Sequence, residues 1–182
     1  MNLFFLDQWL ETNSMVMCDK HVVKMILETC QILYTCWHLR TDLPISELVP
    51  YRVSHKNHPL SIWVRACRAN YDYACYYGLL LCAEYTARYG KYHKTELHLR
   101  QLLSWGYPPL TKVIDPPKKA KPIAVAYDNV PYGLSSIPLC MDEEYYVRKD
   151  GKLLGVESYR NYYRSKQDKF KMVWKRKKPD WF

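Results

Sequence analysis

The stretch CDKHVVKMILETCQ, residues 18–31, holds two lysines, a histidine, a glutamate and a glutamine inside an otherwise apolar run. Spaced at about 100° per residue on a helix, Lys20, His21, Lys24, Glu28, Gln31 and Thr35 share one sector of about 100°. Ile32, Met25, Val22, Leu33, Ile26, Trp37, Val23, Tyr34 and Leu27 take nearly all the rest. A helix so patterned is enclosed on most sides and keeps one polar edge, which suits the lining of a cleft. The types on that edge are those of acid–base and imine chemistry. A carboxylate can hold developing positive charge or move a proton, and a desolvated lysine amine can act as a nucleophile. The plainer alternatives are an i,i+4 ion pair between Lys24 and Glu28 and a satisfied core histidine at His21.

Two further groups could meet the same substrate. HKNHP, residues 55–59, places His55, Lys56 and His58 just before a helix start, where backbone N–H groups favour phosphate. The His-x-x-His spacing alone does not assign a metal, and no metal or cofactor is expected. Ser61, Arg65, Arg68 and Asp72 share a sector of the helix that follows. Near the C-terminus, YRNYYRSKQDKFKMVWKRKK interleaves Tyr159, Tyr162, Tyr163, Phe170 and Trp174 with Arg160, Arg164, Lys166, Lys169 and Lys171. Cations bind phosphates and aromatic faces stack on exposed bases. Alternatively the aromatic side chains pack on the core and only the cations meet solvent.

The elements that must position these groups are helical. The spacing predicts a first helix over residues 15–39, with the polar ETNS before it supplying caps. Residues 2–6 are a short apolar opening. Residues 40–59, with three prolines, read as a loop, and Pro59 suits the first turn of a second helix running to Arg88 or Tyr89 and stopping at Gly90. A third helix covers 94–105. The prolines of 107–122 exclude a helix interior, and 123–155 reads as irregular, with a hairpin turning at Asp150-Gly151. Residues 156–178 read as a basic, aromatic C-terminal helix. The expected fold is all-α: a single compact helical domain over 1–182, interrupted by a long Pro-rich irregular segment at about 107–155.

The totals narrow the partners. Net charge is +9, yet residues 148–182 carry 12 Lys/Arg against 4 Asp/Glu, leaving +1 for the rest. A basic segment of this kind points to nucleic acid. The seven cysteines form no CxxC pair and most sit in apolar helical patterns, so they behave as small hydrophobes in a reducing compartment. The N-terminus lacks the features of a signal peptide, and no segment has the length to cross a membrane. A monomer in the cytoplasm, or in a host-cell interior if the chain is viral, is expected rather than a secreted protein.

With these pieces in view, the sequence resembles the phage-type pyrimidine-dimer DNA glycosylases, the endonuclease V group with abasic-site lyase activity. CDKHVVKMILE is similar to that family's Asp-x-His helix, in which the catalytic glutamate follows the histidine by seven positions, giving Asp19, His21 and Glu28 here. KNHP followed by a helix ending ARYG (87–90) resembles bacterial relatives, and YRNYY (159–163) the family's aromatic–basic run. The CDKHVVKM and HKNHP signatures also resemble an uncharacterised group of viral proteins. The resemblance implies a compact all-α domain that flips a nucleotide from duplex DNA. It implies an N-terminal α-amine that attacks the sugar C1′ and forms a Schiff base while Glu28 stabilises the charged sugar. His21 would hold phosphate, and Arg65, Arg68 and the tail would grip the backbone. The family's nucleophile is a threonine exposed by removal of the initiator methionine; Asn2 stands there instead and disfavours that removal, so the available amine is that of Met1, displaced by one residue. The arginine before the glutamate is Leu27, and about five extra residues precede the histidine.

The expected catalytic set is Glu28, Met1, Asn2 and Lys24, the last as an alternative amine. The expected substrate-binding set is Lys20, His21, Gln31, His55, Lys56, His58, Arg65, Arg68, Tyr159, Arg160, Tyr162, Tyr163 and Arg164. The expected function is a nucleic-acid N-glycosylase acting on damaged or modified bases of double-stranded DNA, with abasic-site lyase activity. The alternatives are a glycosidase for RNA or a free nucleotide, and a non-catalytic nucleic-acid-binding protein on the same scaffold.

Overall fold

A computed structural model describes residues 1–42, 51–112 and 123–182. Parts of the two Pro-containing segments read above as irregular, 43–50 and 113–122, lie outside the described residues. The all-α expectation holds. Among the described residues the chain forms α1 (Leu10–Met15), α2 (Asp19–Arg40), α3 (Pro59–Ala66), α4 (Arg68–Tyr89), α5 (Glu96–Trp105) and α6 (Gly155–Arg164). Its strands are two short antiparallel pairs, β1 (Val125–Ala126) with β2 (Ile137–Pro138) and β3 (Val147–Lys149) with β4 (Lys152–Leu154).

α2 is the central element. It packs most extensively on α4 and also meets α3 and α5. Its buried residues include Val22, Met25, Ile26, Cys30, Leu33, Tyr34 and Trp37. The open edge is displaced from the wheel reading: Val23 and Leu27, assigned there to the enclosed side, are exposed beside Lys20 and Lys24. At Gly78 on α4 an added Cβ would lie 2.9 Å from Leu99 Cδ2, so glycine is what lets α5 approach. α4 stops at Gly90 in the left-handed conformation (φ 66°), as expected. β3 and β4 turn through Asp150 and Gly151, both at positive φ, which is the geometry a two-residue hairpin requires.

Three features depart from the sequence reading. First, ETNS belongs to α1 rather than serving only as caps. Second, the single helix expected from Pro59 is broken at Cys67, whose extended backbone (φ −155°, ψ 164°) ends α3 and begins α4. Carbonyls freed at the end of α3 find side-chain donors. Asn70 Nδ2 donates to Trp63 O at 2.7 Å, and Tyr107 OH and Arg40 Nη1 donate to Arg65 O at 2.6 and 3.2 Å. Third, the C-terminal helix ends at Arg164, a 3₁₀ turn covers Ser165–Asp168, and the chain then runs extended. From Lys169 to Lys175 exposed and half-buried residues alternate, with Phe170, Met172 and Trp174 facing the body.

This extended strap is fastened at the start of α2. Asp19 N donates to Val173 O (2.8 Å), Asp19 Oδ1 accepts from Lys175 N (3.0 Å), and Trp174 Nε1 donates to Val16 O (2.9 Å). Beneath it lies a buried charge network. Arg88 donates to Glu84 Oε1 (2.6 Å), Asp19 Oδ1 (2.8 Å) and the carbonyls of Met15 and Met17, and Arg176 also reaches Glu84 Oε1 (2.6 Å). Removing one member of such a network strands the others without partners. Arg88→Met is expected to cost about 3–5 kcal/mol. Arg68→Met, which breaks an exposed pair with Asp72, is expected to cost under about 1 kcal/mol. Urea unfolding of the two variants checks the contrast.

Candidate active site

The chain's first residues run through the core. Leu3, Phe4, Phe5 and Leu6 are buried in an extended segment that belongs to neither strand pair. Its backbone groups find side-chain partners instead: Phe4 N donates to Tyr77 OH (3.3 Å), Asn13 Nδ2 to Phe4 O (3.0 Å) and Arg160 Nε to Leu6 O (2.7 Å). So held, the segment delivers its start to the polar edge of α2. Asn2 N donates to Glu28 Oε2 at 3.1 Å, and the Met1 amine lies 3.8 Å from the same oxygen. Lys24 Nζ sits 3.2 Å from Oε1.

These groups open on a cleft of about 370 Å³. Its lining takes Met1, Asn2, Phe4, His21, Lys24, Glu28 and His58 from the first part of the chain and Cys140, Tyr162, Lys166, Lys169 and Phe170 from the last. Glu28 is 13% exposed, so its carboxylate is neither sealed in hydrocarbon nor out in bulk water. Both cleft histidines are held neutral. Burial, then the α-amine and His55, lower His58 to about 4 against a weaker opposing pull from Glu28. Burial, then Lys166, Lys24 and Lys20, lower His21 to about 3. Lys166 lies 3.6 Å from the Tyr162 ring centroid. Its own burial, then Lys169 and Lys24, lower it to about 8, with Asp142 opposing. Among the described residues neither Lys166 nor Lys169 has a carboxylate within ion-pair distance. Cations gathered around a hollow in this way favour an anion inside it.

Of the expected site residues, Met1, Asn2, His21, Lys24, Glu28, His58 and Tyr162 meet at the cleft. Lys20 is exposed nearby, over the Phe170 ring at 4.4 Å. Gln31 is half-buried one turn further along α2. His58 caps α3, its Nδ1 accepting from Leu60 N at 3.2 Å, and the exposed His55 and Lys56 form the turn before it. Arg65 is buried and donates to Lys56 O (2.6 Å), so it braces that turn, while Arg68 lies exposed against Asp72.

The C-terminal run divides sharply. Tyr159 and Tyr163 are wholly buried, leaving no ring face for a base. Arg160 serves Leu6 O, Asp7 and Glu157, and Arg164 serves Trp181 O. Lys166, Lys169, Phe170 and Cys140 are cleft residues outside the expected set. The first three stood out only as part of a basic, aromatic tail, because the continuous helix assumed there gave no reason to single them out. Among the described residues no group of three metal-ligating side chains occurs, and no helix is long and apolar enough to cross a membrane.

Residues 1–98 match the family model described as pyrimidine dimer DNA glycosylase. No curated protein and no solved structure matches the chain.

The neutral histidines set a sign for acid stability. In the unfolded chain each protonates near 6.5, whereas in the folded protein His58 waits until about 4 and His21 until about 3. Between these values the unfolded state binds more protons, so stability falls as pH drops below about 6.5. Urea midpoints at about pH 7 and about pH 5.5 should differ less for His21→Asn and His58→Asn than for the parent protein.

Proposed function

Because the chain belongs to the pyrimidine dimer DNA glycosylase family, we propose that it excises pyrimidine lesions from double-stranded DNA through an N-terminal amine working against Glu28. The observation that carries this reading is the convergence of Met1 N and Asn2 N on one oxygen of Glu28 inside a cleft rimmed by lysines. Either backbone nitrogen serves as the nucleophile. If Met1 is retained, its amine attacks from 3.8 Å away from the carboxylate; if Met1 is removed, the nitrogen already at 3.1 Å becomes the free amine.

The steps follow from charge. A flipped nucleotide enters with its C1′ toward the amine. The amine lone pair forms the C1′–N bond as the N-glycosidic bond breaks, and the electron pair goes to the base, which takes up a proton from solvent and is released from its sugar while staying joined to its partner in the dimer. The sugar carries positive charge in that transition state, and the Glu28 carboxylate lies where it opposes this charge. The amine's own proton passes to the nearby carboxylate, and ring opening gives the imine. Loss of a C2′ proton then expels the 3′ phosphate, which is the lyase step. Lys24 neutralises part of Glu28 and meets the strand's phosphates together with Lys166 and Lys169.

Glu28→Gln keeps the shape of the site and removes the charge. It is expected to lower base release by about 10²–10⁴-fold while duplex binding changes little. Borohydride added to protein and dimer-containing duplex should trap one covalent adduct, and mass spectrometry should map it to the N-terminal residue. Base release with no trapped adduct would remove the imine and leave hydrolysis by water. Binding that weakens steeply with salt is expected of a duplex ligand and would be absent for a free nucleotide.

A further inference from the structure

We propose that Tyr163 is a positioning residue that fixes His21 as an uncharged Nε2–H donor aimed into the cleft. The inference rests on the reading of the cleft given above only for what the donor meets; the state of the ring follows from its hydrogen bonding and its surroundings.

The Tyr163 hydroxyl lies in the core and has two partners with good geometry. It accepts from Cys18 N at 3.0 Å and lies 2.8 Å from His21 Nδ1. A hydroxyl has one hydrogen to give, and a backbone N–H can only donate. If Nδ1 also carried a proton, the phenol hydrogen would have no strong acceptor in a dry site. A stranded buried donor costs about 1–3 kcal/mol. The Cys18 thiol is the hydroxyl's other neighbour, and sulfur accepts weakly. The hydroxyl hydrogen therefore goes to Nδ1, and the single proton of the neutral ring sits on Nε2.

The surroundings keep that ring neutral. Phe4 and Phe170 flank it with centroids at 4.9 and 5.3 Å, and Lys20, Lys24 and Lys166 face it from α2 and from the turn after α6. Each cation opposes a second positive charge. Nε2 has no partner among the described residues, and His21 lines the cleft. The site thus separates two jobs. Lysines attract the phosphodiester strand, and His21 offers one directed hydrogen bond to an oxygen of it, unchanged across neutral and mildly acidic pH.

The test reads the ring directly in the free full-length protein. Long-range proton–nitrogen spectra of ¹⁵N-labelled protein should show His21 Nδ1 unprotonated and Nε2 protonated, with no change from about pH 8 to about pH 5. A protonated Nδ1, or titration near the ordinary value, would overturn the proposal. In Tyr163→Phe the single tautomer should give way to a mixture, and KM for dimer-containing duplex should rise about two- to tenfold with kcat less affected. An unaltered His21 spectrum in that variant would reduce Tyr163 to packing and also overturn it. Should that variant not fold, the parent spectra decide alone. A protein with the expected tautomer but no base release would sink the functional reading and leave this one standing.

Discussion

The structure depends on burying an extended segment, residues 2–6, that has no strand beside it. Such a segment must satisfy its backbone groups with side chains, because unpaired buried amides and carbonyls are costly. The partners come from four helices: Asn13 on α1, Glu28 on α2, Tyr77 on α4 and Arg160 on α6. Each therefore does structural work by fixing where the chain begins. Placing an amine within reach of a carboxylate is the hard part of imine chemistry, since orientation supplies much of the rate. Here that placement comes from the core itself.

The electrostatics of the cleft follow from that placement. Glu28 sits among Lys24, the α-amine and the more distant lysines, and both neighbouring histidines stay neutral through burial first and the positive field second. The result is a pocket rich in N–H donors that holds a single carboxylate. The excess positive charge of the lining favours an anion in the hollow. Lys166 is lowered chiefly by burial and secondarily by Lys169 and Lys24, and an anion in the hollow would offset only the second of these.

Much of this was legible in the sequence. The presence of a polar edge on the first long helix, the Pro59 start, the Gly90 stop and the Asp150-Gly151 turn follow from local rules, whereas the bounds of that edge do not: Val23 and Leu27 are exposed and Thr35 is buried. The misplaced parts depend on distant partners. Nothing near Cys67 signals a break, because the donors that stabilise it are Asn70, Tyr107 and Arg40, drawn partly from elsewhere in the chain. Residue type does not tell an arginine that grips phosphate from one that holds Leu6 or Trp181 by its carbonyl. The strap left one local trace. Lys169-Phe170-Lys171-Met172 alternates polar with apolar as a strand would, but the apolar Val173 interrupts the pattern, and Tyr159, Tyr163, Phe170 and Trp174 also fit one face of a helix.

The residues that line the cleft come from two distant parts of the chain. Residues 1–98, which match the family, supply the amine, Glu28, His21 and His58. Cys140, Tyr162, Lys166, Lys169 and Phe170 lie beyond that match and face the same hollow. The strap carrying Phe170 is held in register by Asp19, which binds Val173 and Lys175 through its backbone and side chain while Arg88 anchors it from below. Asp19, two positions before His21, thus fastens the strap to the start of α2 and is not itself a lining residue of the cleft. The hollow is therefore completed by side chains from both halves of the chain, and its shape depends on the strap as much as on α2.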